Sequence, residues 1–113
     1  MIVRNAIIQS CSDDVPIEDK ESFIEYRITC DTPDAQMHID ANGLDALGIY
    51  AKGSYEKKLK TKEFFAVIDV RCTDHKALIS VELYVNGKLR ASENGNASVF
   101  ISERLKGKGP YLY

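Results

Sequence analysis

The sequence predicts an all-β fold, a single antiparallel β-sandwich of seven to nine short strands, with a barrel as the second choice. Three observations predict it. Apolar and polar residues alternate with period two over several segments, as they do in strands buried on one face. Asn-Gly pairs recur between those segments and supply the positive φ values that tight hairpin turns need. No segment shows a comparable helical period.

The elements follow in order. Residues Ile2–Cys11 are rich in β-branched side chains and read as a first strand, closed by the loop Asp13-Asp14-Val15-Pro16. From Ser22 to Asp31, Ile24, Tyr26, Ile28 and Cys30 share one parity, and Glu25, Arg27 and Thr29 hold the other. Asp31-Thr32-Pro33-Asp34 is the next loop, and Gln36–Asp40 the next strand, ending at Asn42-Gly43. Lys52–Lys62 can be written as a helical turn, but Gly53 and Tyr55 weaken that assignment. Phe64, Ala66, Ile68, Val70 and Cys72 alternate with Asp69 and Arg71. Ala77, Ile79, Val81, Leu83 and Val85 then alternate with Ser80, Glu82 and Tyr84. Asn86-Gly87 predicts a type I′ hairpin into Lys88, Leu89 and Arg90. Asn94-Gly95 is expected to end that returning strand, and Val99, Phe100 and Ile101 to form the last one.

The chain of 113 residues fits one domain, residues 1–113, with 44% apolar residues available for a core. It contains no apolar run long enough for a membrane-spanning helix. The formal charge of −2 conceals ten acids against three bases in residues 1–45, and twelve bases against seven acids thereafter. Interleaved strands would mix these halves into one surface. Cys11, Cys30 and Cys72 form no C-x-x-C pair, and their odd number argues against a fully paired disulfide framework. The N-terminal residues do not read as a signal peptide. A native start at Met1 implies the cytoplasm; a signal or anchor removed from upstream of it implies the cell envelope.

Phe64-Phe-Ala-Val-Ile-Asp-Val-Arg-Cys72, a loop, and Ala77-Leu-Ile-Ser-Val-Glu-Leu-Tyr-Val-Asn-Gly-Lys-Leu89 resemble the back half of small bacterial Ig-like β-sandwich domains. Accessory domains of the mycobacterial small membrane-protein type, and related envelope lipoproteins, are similar. The resemblance covers roughly residues 23–103. The chain departs from the pattern in showing no N-terminal anchor, and in cysteines that do not occupy the family's usual positions. The resemblance implies a non-catalytic accessory or binding role and supplies no site residues.

The candidate chemistry is sparse. His38 and Asp40 share one strand face, and His75 lies in a loop after Cys72, so the four could offer nitrogen, oxygen and thiolate ligands to a metal. Cys30 and Cys72 fall on apolar parities, as buried thiols do, which leaves Cys11 as the exposed one. No nucleophile elbow, P-loop or dinucleotide fingerprint is present. Lys57, Lys58, Lys60 and Lys62 surround Tyr55 and Leu59, and such charge beside an aromatic ring can bind nucleic acid. Against this, the whole chain is slightly acidic, and lysine on an edge strand also prevents edge-to-edge aggregation. Tyr111-Leu112-Tyr113 is expected to pack on the domain or in a homodimer. The first reading is a non-catalytic domain that binds a protein partner or small ligand through end loops or an exposed strand edge, with no cofactor. The alternatives are a small cytosolic enzyme or metal-binding protein using His38, Asp40 and His75, and a nucleic-acid-binding β domain using Lys52–Lys62.

Overall fold

Alternation becomes geometry in β1, Ser22–Cys30, where Ile24, Tyr26 and Ile28 are wholly buried while Phe23, Arg27 and Thr29 face out. The computed structural model describes residues 17–44 and 47–107. The first predicted strand (Ile2–Cys11), the Asp13–Pro16 loop, Cys11 and the Tyr111–Tyr113 tail lie outside these residues. A short 3-10 turn at Ile17–Asp19 precedes β1, and seven further strands follow. They are β2 (Gln36–Ala41), β3 (Ile49–Lys52), β4 (Ser54–Thr61), β5 (Phe65–Cys72), β6 (Leu78–Val85), β7 (Lys88–Asn96) and β8 (Ser98–Arg104). No helix among the described residues is long and apolar enough to cross a membrane.

The strands form two four-stranded antiparallel sheets, in the orders β4-β1-β6-β7 (sheet one) and β3-β2-β5-β8 (sheet two). The sheets remain open and do not close into a barrel, so the sandwich is the correct choice of the two architectures. Between them lie Ile24, Tyr26 and Ile28 of β1, Met37 and Ile39 of β2, Ile68 and Val70 of β5, and Ile79, Val81 and Leu83 of β6. Burying each such side chain contributes about 1.5–3 kcal/mol, enough to pin every register, since a one-residue slip would expose a whole face. β1, from the acidic half of the chain, pairs with the lysine-rich β4, setting Glu25 opposite Lys58, so the uneven charge along the chain is mixed in space.

Two strands change sheets through a single residue. Gly53, at φ 75°, turns β3 of sheet two into β4 of sheet one, and its carbonyl accepts a hydrogen bond from Cys30 N at 2.8 Å. The stretch written as a possible helical turn is therefore strand, bent where the glycine permits it. On the opposite side Ala97, at φ 69°, turns β7 into β8. It is held there because Ala97 N donates to Ala77 O at 3.0 Å and Cys72 N donates to Ala97 O at 2.8 Å.

This corrects the sequence expectation at Asn94-Gly95. The strand does not end there but runs on to Asn96, and the positive φ falls on an alanine. Gly95 serves close approach instead, because a Cβ at that position would lie 2.8 Å from Ser98 O. The Asn86-Gly87 turn is as predicted, with φ of 52° and 85°. Asn86 also ties that turn to β1, donating its N–H to Phe23 O at 2.7 Å and accepting from Phe23 N at 3.0 Å. Phe64 is a smaller correction, since it precedes β5 and is part-exposed beneath Lys106.

One polar plug joins the sheets. The Tyr26 hydroxyl of sheet one donates to Asn42 Oδ1 at 3.0 Å, and the same oxygen accepts from Val67 N of sheet two at 3.0 Å. Asn42 Nδ2 donates to Phe65 O at 2.7 Å, so the side chain continues the β5 ladder where β2 has stopped. Burial pushes the Tyr26 hydroxyl up from 10.0 to about 12, since ionising it would place a charge in the core.

Candidate functional site

A sandwich has four edge strands, and each offers unpaired backbone groups to another chain. Three are blunted here. On β4, Lys57 has the parity of the core-facing residues and lies opposite buried Tyr26, yet it is exposed. On β7, Glu93 does the same opposite buried Val81. An added strand would have to cover these charges, which is costly. The third edge, β3, has only four residues.

Among the described residues, the fourth edge, β8, lacks such protection over most of its seven residues. Its core-facing Val99 and Ile101 are buried, and its outward Phe100 is 61% exposed. Ala97 O bonds toward β5, so by antiparallel alternation Val99 and Ile101 also bond toward β5. That directs the amides of Ser98, Phe100 and Ser102 and the carbonyls of Phe100 and Ser102 away from β5, while Ser98 O lies against Gly95. The far end is capped, where Arg90 pairs with Glu103 at 3.0 Å and donates to Arg104 O at 2.7 Å.

Beside this edge lies the outer face of sheet two, whose residues are set in rows by the strand registers. Tyr50, His38, Arg71 and Ser98 form one row across β3, β2, β5 and β8. Asp40, Asp69 and Phe100 form the next, followed by Val67 with Ser102. Tyr50 is 68% exposed, and its ring lies 5.0 Å from that of His38 at an angle of 52°. His38 Nε2 lies 3.0 Å from Leu47 O, which fixes the ring's orientation. A cleft of about 560 Å³ opens at this end of the sheet, lined by Gln36, His38, Tyr50, Arg71, Cys72 and Thr73.

The outer face of sheet one is different in kind. There the Arg27 guanidinium stacks 4.5 Å over the Tyr84 ring and bonds Glu25 at 2.7 Å, which raises its pKa. Tyr84 is raised as well, first by desolvation and then by its 3.2 Å hydrogen bond to Glu82. On this face Arg27, Glu25, Tyr84 and Glu82 are satisfied by one another.

The residues singled out by sequence are mostly kept apart. His38 and Asp40 do share the outer face of β2, but His75 lies in the exposed loop after β5 and Cys72 faces the core. Among the described residues no three His, Cys, Asp or Glu side chains gather as a metal would require. Lys58 and Lys60 stand on the outer face of β4, Lys57 has the opposite parity, and Lys62 lies beyond the strand. Tyr55 packs against the core with Leu59, and the exposed ring beside these lysines is instead that of Phe23, opposite Lys60. Cys30 and Cys72 are free thiols, the first part-buried and the second buried.

Sequence reasoning missed Phe100, Tyr50 and Arg71. Phe100 carried a usable signal, being a large apolar residue on the polar parity of its strand. No protein-family model matches the chain, and no curated protein matches it either.

Proposed function

We propose that this β-sandwich is a non-catalytic binding domain that takes an extended segment of a protein partner alongside β8. One observation carries this: of the four edges among the described residues, β8 alone is neither very short nor guarded by a core-facing charge at mid-strand. A segment pairing there would bond to the backbone of Ser98, Phe100 and Ser102 and lay its outward side chains beside exposed Phe100. Backbone pairing supplies affinity, and Phe100 with Val67 selects the side chains.

The test is to select ten-residue peptides from a displayed random library and titrate synthetic copies of the binders. Ser102→Pro removes an edge amide without breaking the ladder to β5. Phe100→Ser leaves the backbone intact should the proline variant misfold. Both substitutions should weaken binding by about tenfold or more, roughly 1.4 kcal/mol, and bound peptide should slow amide exchange at Ser98, Phe100 and Ser102. Peptides that bind the two variants as well as the wild type refute the proposal.

A homodimer is the second reading, favoured by the self-complementarity of β8. An antiparallel pairing centred on Phe100 sets Phe100 against its copy, Ser98 against Ser102 and Val99 against Ile101, with no like charges opposed. Light scattering after size exclusion distinguishes the two. A wild-type dimer made monomeric by Ser102→Pro supports the second reading, and a wild-type monomer dismisses it.

A further inference from the structure

We propose that the cleft at the end of sheet two binds a carboxylate carried on a flat apolar group, at a site separate from the β8 edge. Its walls differ in chemistry. Tyr50 presents an open ring face, and His38, tilted against it, extends that wall inward. Cys72, whose side chain faces the core, closes the floor. Together they leave room for one planar ring against aromatic surface.

Arg71 supplies the polar wall. Its Nε and Nη2 engage Asp69, at 3.4 and 3.2 Å, so one edge of the guanidinium is occupied. The fork between its two terminal nitrogens remains available, and a carboxylate fits that fork with two parallel hydrogen bonds. The arrangement of charge favours an anion on the far side of Arg71 from the acids. Asp40 and Asp69 occupy the row on the Phe100 side, outside the cleft. On the other side, Gln36 and Thr73 contribute neutral polar groups, and exposed Lys52 stands directly opposite Gln36. The nearby Asp74 carboxylate is turned to its own loop, accepting from Lys76 N at 2.9 Å.

The same chemistry is offered by a free aryl acid and by a peptide ending in an aromatic residue. Benzoate and N-acetylphenylalanine are therefore titrated separately, with benzamide and N-acetylphenylalanine amide as neutral controls, and shifts are followed by NMR. The expected result is saturable movement of Gln36, His38, Tyr50 and Thr73 resonances with one or both acids, at least tenfold weaker for the matching amide. Benzoate alone identifies a small-molecule site, and N-acetylphenylalanine alone a peptide terminus. Arg71→Gln should abolish the preference for acid over amide, and Tyr50→Ala should weaken both. Absence of saturation with either acid overturns the proposal, as does an acid preference that survives Arg71→Gln. Because the β8 substitutions touch none of these residues, failure of this site leaves the strand-addition proposal untouched, and the reverse holds.

Discussion

Tyr26 offers a sharp test of how the two sheets are joined. Its hydroxyl is fully buried and donates to Asn42 Oδ1 at 3.0 Å. Replacing it with Phe removes that bond but leaves Asn42 Oδ1 accepting from Val67 N, so the cost near neutral pH is about 1 kcal/mol. The alkaline limb then separates the two proteins. With a native pKa of about 12 against 10.0 in the unfolded chain, the wild type keeps its Tyr26 proton where the unfolded state has lost it. Tyr26's contribution is therefore complete below pH 10 and is lost as pH rises from 10 toward 12. The loss is about 1.4 kcal/mol by pH 11 and at most about 2.7 kcal/mol above the native pKa. Tyr26→Phe cannot suffer it, and every other titrating group is common to both proteins. Urea unfolding followed by circular dichroism at pH 8 and pH 11 should show the wild-type advantage of about 1 kcal/mol vanish or slightly reverse. An advantage unchanged at pH 11 would refute the account of a neutral hydroxyl locked in the core.

Two further outcomes follow from the corners and edges. Ala97→Gly should raise stability by about 0.5–1 kcal/mol in the same urea assay, because φ of 69° strains alanine while the hydrogen bonds at Ala97 hold it there. A loss of stability would show that the alanine methyl packs favourably enough to outweigh the strain. Lys57→Val should leave the melting temperature nearly unchanged but promote self-association, measured by light scattering against concentration, since it strips the core-facing charge from the β4 edge. Unchanged scattering would mean that Lys58 and Lys60 suffice as guards.

Much of the fold was legible because burial on one face of a strand writes a period of two into the sequence. Ile24, Tyr26 and Ile28, and Ile79, Val81 and Leu83, were assignable to the core from alternation alone, and the buried set contains all six. The Asn86-Gly87 turn was equally legible, since the positive φ it requires restricts the residue types. Ala97 was not, because nothing local favours a left-handed alanine. It is fixed by hydrogen bonds from Cys72 and to Ala77, residues at least twenty positions away.

The candidate site was less legible, again for a physical reason. Histidines and a lysine run attract notice by residue type, but function at a sheet surface depends on which strands are neighbours. Tyr50, His38 and Arg71 come from three strands and share a row only through the β2–β3 and β2–β5 registers. The lysines, read by type as a phosphate-binding run, stand on an edge strand with Tyr55 turned to the core. That the chain forms strands, which residues point inward and where its tightest hairpin turns are all legible from the residues in order, because those properties depend on neighbours along the chain. Pairing in three dimensions sets which described strands lie at the edges, that β8 carries no mid-strand guard like those of β4 and β7, and that an aromatic cleft forms on sheet two. Those features depend on pairings between distant residues, and no local pattern encodes them.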